Sequence, residues 1–311
     1  MPRHPGRFPT PIDGLYYHAF RTTDRDRWLL AALYEHQILS TEQITELAFG
    51  APRTARRRLA QLTGLGLIER TRSNPAGPGT SSYLYTLAPA GALLLSGQRD
   101  MDLKQLRYDR ARARRQALRP DLRHSLGCNT LMIRLAAAHR TSAAGHLATW
   151  LGALSCLRRW GDQIRPDAYG HWFEQTGTTA GCGFFLEYDT GTESLTQLAA
   201  KIHGYTRFAR NHPGHHPILI HTSTPSREAK LHALLTETHR ACPVPIATAT
   251  GPDPQAAIWL PHTATARTGI ARLPDLFTAL GYRILAPIAP GPDTPAPAWD
   301  TPGAARGGPQ P

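Results

Sequence analysis

A chain of 311 residues, 41% of them hydrophobic, is long enough for two domains with cores of their own. No run of about 18 apolar residues occurs, and the N-terminus with Arg3, Pro5, Arg7 and Pro9 lacks the apolar centre of a signal peptide, which argues against a membrane partner and for the cytoplasm. The net charge of +12 is uneven, with 20 Lys and Arg against 11 Asp and Glu in residues 1–123 but 15 against 12 in residues 124–311, so the front third calls for a polyanion, nucleic acid first.

Residues 1–20 are Pro-rich and read as a loose arm. Thr23-Asp24-Arg25-Asp26 opens a helix that turns Trp28, Leu29, Leu33 and Tyr34 toward a core. Ser40-Thr41-Glu42-Gln43 has the form of a capping box, and Ile44 and Leu47 carry a short second helix to about Phe49. After the Gly50-Ala51 turn, Pro52 suits the first position of a third helix. Ala55, Leu59 and Leu62 form its inward stripe, and Arg53, Arg56, Arg57 and Arg58 lie on its outward part. Residues 67–72 and 83–87 read as two paired strands, joined by a hairpin tip rich in Gly, Pro and Ser over residues 73–82.

Three helices followed by a basic hairpin is the order of a winged helix-turn-helix over residues 21–98. Such a module lays its third helix in the major groove of double-stranded DNA and its wing over the backbone. Arg53, Arg56, Arg57 and Arg58 on the helix, with Arg70 and Arg72 on the wing, are the expected DNA contacts. Residues 99–120, with Arg110, Arg112, Arg114, Arg115 and Arg119, read as a basic linker, with packing on the wing or contact with a second copy as other readings.

From Asp121 the pattern changes. Leu122, Leu126, Ile133 and Ala137 give helical spacing, with His124 near the start of that helix, read mainly as a packing or capping residue that could also approach a metal site. An apolar stretch at residues 146–157 holds a strand around Trp150, residues 164–169 a strand carrying Asp167, and residues 183–189 a strand ending in Glu187-Tyr188-Asp189. A helix at 193–210, capped by Thr192 or Ser194, sets Gln197, Lys201 and Tyr205 on one stripe. A strand at 217–221, a helix at 226–241 and weak strands near 244–249 and 256–260 follow, and residues 285–311 read as a disordered Pro/Gly-rich tail. The cysteines Cys128, Cys156, Cys182 and Cys242 make no CxxC pair, so neither a zinc site nor a disulfide framework is expected.

The chemistry concentrates in residues 165–205. Alternation along a strand turns Glu187 and Asp189 to the same side. With Asp167 and the ammonium of Lys201, they make an oxygen-rich set suited to Mg²⁺ or Mn²⁺ and to phosphate. The sequence holds 32 arginines and three lysines, Lys104, Lys201 and Lys230, so a lysine beside three acids suggests a need for a compact cation.

Asp167 followed by Glu187 on the next strand resembles the PD-(D/E)xK (restriction-endonuclease-like) superfamily. The position two residues after the second acid, lysine in that superfamily, is Asp189 here, and Lys201 takes the role from the helix. The order helix, three strands, helix, strand agrees with that core, giving an α+β chain with a nuclease-like α/β domain over residues 121–284. The combination also resembles the replication-relaxation family of actinobacterial and other plasmids and integrative elements. It is carried by Arg165-Pro166-Asp167, by the run from Phe185 through Glu187, Asp189, Thr192 and Glu193, and by Lys201 and Tyr205.

This resemblance implies a role in plasmid replication, DNA relaxation or transfer, with plasmid replication or transfer proteins and a second copy of the chain as further partners. In an active nuclease, Asp167, Glu187 and Lys201 would be catalytic, and Asp167, Glu187 and Asp189 would hold the metal. The alternatives are an inactive accessory factor, whose second domain serves binding or dimerisation, and a transcriptional regulator that senses a ligand there.

Overall fold

The computed structural model describes residues 17–72, 82–138, 145–173, 181–212, 214–238 and 244–288. Residues 1–16 of the expected arm, most of the hairpin tip, Cys242 and most of the tail lie outside the described residues. Two compact units divide between Leu122 and Arg123.

In the first unit, helix α1 (Asp24–His36) starts where Thr23 and Asp26 cap each other, the Asp26 carboxylate accepting from the Thr23 amide at 2.7 Å. Strand β1 (Leu39–Ser40) leads into helix α2 (Thr41–Ile44), opened by the expected Ser40–Gln43 capping box and continued as a wide π-helical turn over Thr45–Phe49. Pro52 opens helix α3 (Pro52–Gly64), which buries Ala55, Leu59 and Leu62 as the spacing requires. Strands β2 (Ile68–Arg72) and β3 (Tyr83–Leu87) pair antiparallel, and β1 adds to β3, giving the order β1-β3-β2. Helix α4 (Pro89–Gln98) crosses so close that a Cβ on Gly91 would lie 2.1 Å from the Leu67 carbonyl oxygen.

Residues 99–120, read as a linker, form helices α5 (Leu103–Leu106) and α6 (Arg110–Gln116) that pack on this unit. Leu106, Ala113 and Gln116 are buried, and the Tyr108 hydroxyl donates to the Leu87 carbonyl at 2.9 Å. Arg110 and Arg114 both close on Glu69 of β2, at 2.8 and 2.6 Å.

The second unit is a mixed six-stranded sheet flanked by helices. Helix α7 (Leu122–Ala138) precedes β4 (His146–Gly152), and the apolar stretch then turns at Gly152 into helix α8 (Ala153–Trp160). Next come β5 (Ala168–Phe173), β6 (Cys182–Asp189), α9 (Leu195–Arg210), β7 (Ile218–Thr222), α10 (Pro225–Thr238), β8 (Ile246–Ala249), β9 (Leu260–Pro261) and α11 (Leu273–Ala279). The sheet order is β4 to β9 in sequence, parallel at β6-β7-β8 and antiparallel elsewhere.

The strand carrying the first acid begins later than its apolar pattern suggests. Pro166 has no amide hydrogen for a ladder, so β5 starts at Ala168 and Asp167 stands at its mouth. The tail also begins later than residue 285. Leu285 donates to the His215 carbonyl at 3.0 Å, and the Ile288 amide to the Tyr169 hydroxyl at 2.8 Å. Phe185, Ile218, Ile220 and Ile246 of the sheet pack with Leu198, Ile202 and Tyr205 of α9 and with Leu231 and Leu235 of α10. Among the described residues no helix is long and apolar enough to cross a membrane.

The first unit turns on one ion pair. Arg58 grips Asp26 through Nε at 2.9 Å and a terminal nitrogen at 2.6 Å, and its other donors reach the Arg21 carbonyl and Gln61. Asp26 is 1% exposed. Burial pushes the Asp26 pKa up, but the hydrogen bonds from Arg58 and Thr23 outweigh it and the net shift is downward. Removing one partner strands a buried charge, so Arg58→Met is expected to cost about 3 kcal/mol in urea unfolding. A depressed carboxylate pKa gives stability that is present above the unfolded value and lost as pH falls through the folded one. Asp26→Asn should therefore lie well below wild type at neutral pH, and the gap should narrow below pH of about 4.

Candidate functional site

The second unit gathers its chemistry at the mouth of β5 and the end of β6. Asp167 Oδ2 accepts from the Tyr188 amide at 2.8 Å and from His124 Nε2 at 2.9 Å. The Asp167 amide in turn donates to the Leu186 carbonyl at 3.1 Å, which fixes Asp167 beside the strand that carries Glu187. His124 reaches it because α7 lies tight on Tyr188: a Cβ on Gly127 would fall 2.3 Å from that ring.

Glu187 is 2% exposed, on the face of β6 that packs against α9. Its Oε1 accepts from the Tyr205 hydroxyl at 2.6 Å. Its Oε2 makes no hydrogen bond and has Lys201 Nζ at 3.5 Å, the reach of an ion pair rather than of a good hydrogen bond. Lys201 also lies 3.3 Å from Glu193. The helix that delivers Lys201 and Tyr205 one turn apart is started by the Ser194–Gln197 capping box, so Ser194 rather than Thr192 is the cap.

These neighbours shift one another. Burial, reinforced by the negative charge of Asp167, pushes the Glu187 pKa up to about 8 against the opposing pull of Lys201 and Tyr205. Burial alone would lower the Lys201 pKa, but Glu187, Asp167 and Glu193 raise it overall. The hydrogen bond to Asp167 raises the His124 pKa against its burial. Burial, then Glu187, lifts the Tyr205 hydroxyl well above its ordinary value, so it stays a donor.

Asp189 goes elsewhere. Arg227 holds it in a bidentate pair, through Nε to Oδ2 and through a terminal nitrogen to Oδ1 at 2.9 Å, and the Gly191 amide also donates to Oδ1 at 2.9 Å. Parallel pairing explains this: Asp189 lies opposite Thr222, and α10 with Arg227 begins just beyond that strand end. Asp167, Glu187 and Lys201 therefore come together, and Asp189 forms a separate ion pair. Among the described residues, no three His, Cys, Asp or Glu side chains are grouped to hold a metal ion.

Tyr205, Arg227 and the His124 contact were not assigned these parts by sequence. The i, i+4 spacing of Lys201 and Tyr205 pointed to Tyr205, and the place of His124 near the start of its helix offered an approach to the acids as its lesser reading.

In the first unit, Arg53, Arg56 and Arg57 are exposed on α3 and form no ion pair among the described residues, unlike Arg58. Arg70 and Arg72 are exposed on β2, with guanidinium carbons 4.3 and 5.5 Å from the Tyr83 ring centroid.

The Glu187 shift has a testable sign. A raised folded-state pKa gives stability that is complete below the unfolded value near 4.3 and lost as pH rises toward about 8. Glu187→Gln keeps an acceptor for Tyr205 and removes the titration. In EDTA it should melt a few degrees above wild type at pH 8–9, and the difference should vanish near pH of about 4.5.

The replication-relaxation family model matches residues 30–217, more than half of the chain, from within α1 to the residue before β7. That span holds the exposed arginines of the first unit together with Asp167, Glu187 and Lys201 of the second. No curated protein and no solved structure matches the chain. The chain is a member of the replication-relaxation family.

Proposed function

We propose that this protein binds duplex DNA through its first unit and processes DNA through its second, in the replication, relaxation or transfer of a plasmid or integrative element. The first unit reads as a winged helix: α3 carries Arg53, Arg56 and Arg57 toward the major groove, and Arg70 and Arg72 lie on the wing. Arg58 is left out of that surface, because its donors hold Asp26, Arg21 and Gln61.

The second unit reads as a restriction-endonuclease-like fold that nicks DNA with Mg²⁺ or Mn²⁺. The observation that carries this reading is the meeting of Glu187 with Lys201, beside Asp167, around a buried carboxylate oxygen that lacks a hydrogen-bond partner. An orphaned anionic oxygen next to a second acid fits a hard divalent cation, which needs only one or two carboxylates when water and phosphate complete its shell. Asp167 and Glu187 would hold it, and Asp189, closed by Arg227, would not. The bound ion would supply a Lewis acid for the phosphate and lower the pKa of a water. Tyr205 fixes the rotamer of Glu187, His124 and the Tyr188 amide fix Asp167, and Lys201 sets a positive charge beside the carboxylates, where a phosphate would develop negative charge.

A second reading draws on the Arg227–Asp189 pair and on the hydrogen bonds that already engage Asp167. Here the nuclease-like fold serves binding alone, and the protein is an accessory factor or regulator.

Supercoiled plasmid with and without Mn²⁺ separates the two. Wild type is expected to convert it to open circle only with the ion, and Asp167→Ala and Lys201→Ala to abolish conversion. Lys201→Ala should keep the Mn²⁺-induced rise in melting temperature and Asp167→Ala should lose it. No conversion and no thermal shift at millimolar ion would select the binding-only reading.

Duplex binding has its own test. Affinity should fall steeply with salt as counterions are released. Arg57→Ala should weaken binding and reduce the slope of log K against log salt by about 1, while Arg272→Ala on the second unit should change neither.

A further inference from the structure

Beyond the acidic cluster, the second unit has an open-mouthed cavity of about 310 Å³ that neither reading of its chemistry uses. The volume lies at the small end of ligand sites, which span about 300–1,000 Å³. Its walls are aromatic: Trp160 from α8, Phe185 from β6, and Tyr205 and Phe208 from α9. One side is closed by residues 285–288, the strap tied to His215 and Tyr169.

The polar groups around it are all basic or neutral. Arg159 is exposed at the rim, its guanidinium carbon 5.5 Å from the Trp160 ring centroid. His212 gives its Nδ1 hydrogen to the Phe208 carbonyl at 2.8 Å, which leaves Nε2 as a hydrogen-bond acceptor. His216 also lines the cavity, with its ring held neutral by burial and its Nδ1 shut away against Gly183. Among the described residues, no carboxylate lines the cavity.

Aromatic walls, one acceptor nitrogen and one cation at the mouth select a planar heteroaromatic ring that carries an N–H donor and an anionic substituent. We propose that this cavity receives a nucleobase with Arg159 on the attached phosphate, either as a free mononucleotide or as a base turned out of a DNA strand. Stacking on aromatic side chains supplies the affinity for such a base, and a guanidinium suits its phosphate. The occupant would lie one side chain from the acidic cluster, because the ring of Tyr205 lines the cavity while its hydroxyl donates to Glu187. The choice of a nucleobase over other flat anions rests on the DNA-handling reading above.

Isothermal titration of the full chain with dAMP, dTMP, deoxyadenosine and a short oligo(dT) tests this. The expected result is saturable binding of dAMP. Arg159→Gln, at an exposed position, should weaken dAMP roughly tenfold and leave deoxyadenosine unchanged. Ala209→Leu, which fills the cavity from α9, should abolish both. Oligo(dT) binding more tightly than dTMP assigns the site to a strand, and equal or weaker binding assigns it to free nucleotides. Absence of binding by every probe, or binding that neither variant changes, overturns the proposal. Duplex affinity measured in parallel separates the two ideas: dAMP binding without duplex binding would sink the DNA-handling reading and keep the site.

Discussion

The second unit is organised around a carboxylate that has been taken out of water. Glu187 sits on a central strand at 2% exposure, and an isolated ionised carboxylate there would be penalised heavily. Two neighbours and a proton make the position tolerable. Tyr205 donates to one oxygen, Lys201 approaches the other, and the raised pKa lets a proton take the place of a partner. Each neighbour constrains the fold in turn. Lys201 and Tyr205 must lie one helical turn apart on the inner edge of α9, so the start of that helix at Ser194 sets whether they meet Glu187. Asp167 works in the opposite direction, because its charge makes ionising Glu187 harder. A leucine at 187 would pack without any of these demands.

The first unit sorts a run of like charges by geometry. Arg56, Arg57 and Arg58 are adjacent, and a helix turns each by about 100° from the last. Arg58 meets the acid that caps α1, while the other two face outward with Arg53. A similar division occurs on β2, where Glu69 gathers Arg110 and Arg114, and Arg70 and Arg72 lean over Tyr83. What is left exposed is a smaller and better-defined basic surface than the arginine count alone suggests.

Local rules made much of this legible. Capping pairs three residues apart, Pro52 at a helix start and the stripe of Ala55, Leu59 and Leu62 are short-range signals, and the helices obey them. The apolar run between Gly183 and Thr190-Gly191 located β6 to within a residue, and alternation set Glu187 on the face of Phe185. Long-range pairs were not legible. Arg58 is 32 residues from Asp26, Arg227 is 38 from Asp189 and His124 is 43 from Asp167, and no periodicity connects residues so far apart. Residues 99–120 offered a helix packed on the wing only as an alternative to a linker, because only Leu106, Ala113 and Gln116 turn inward amid a run of arginines. The end of the second unit was masked by its Pro and Gly content, although the Leu285 amide donates to the His215 carbonyl and the Ile288 amide to the Tyr169 hydroxyl.

The strap at 285–288 gives the second unit an order of assembly in time. Chains fold as they are made, N-terminal units first. Among the described residues, the six strands and the helices of this unit precede residue 285, so the sheet and the Glu187 cluster can form while the aromatic cavity still lacks a wall. The arginine surface of the first unit is complete far earlier, soon after residue 116. A nascent chain would thus present its basic face to a polyanion before it has a finished second unit, and residues 285–288 later add the missing wall to an open aromatic shelf.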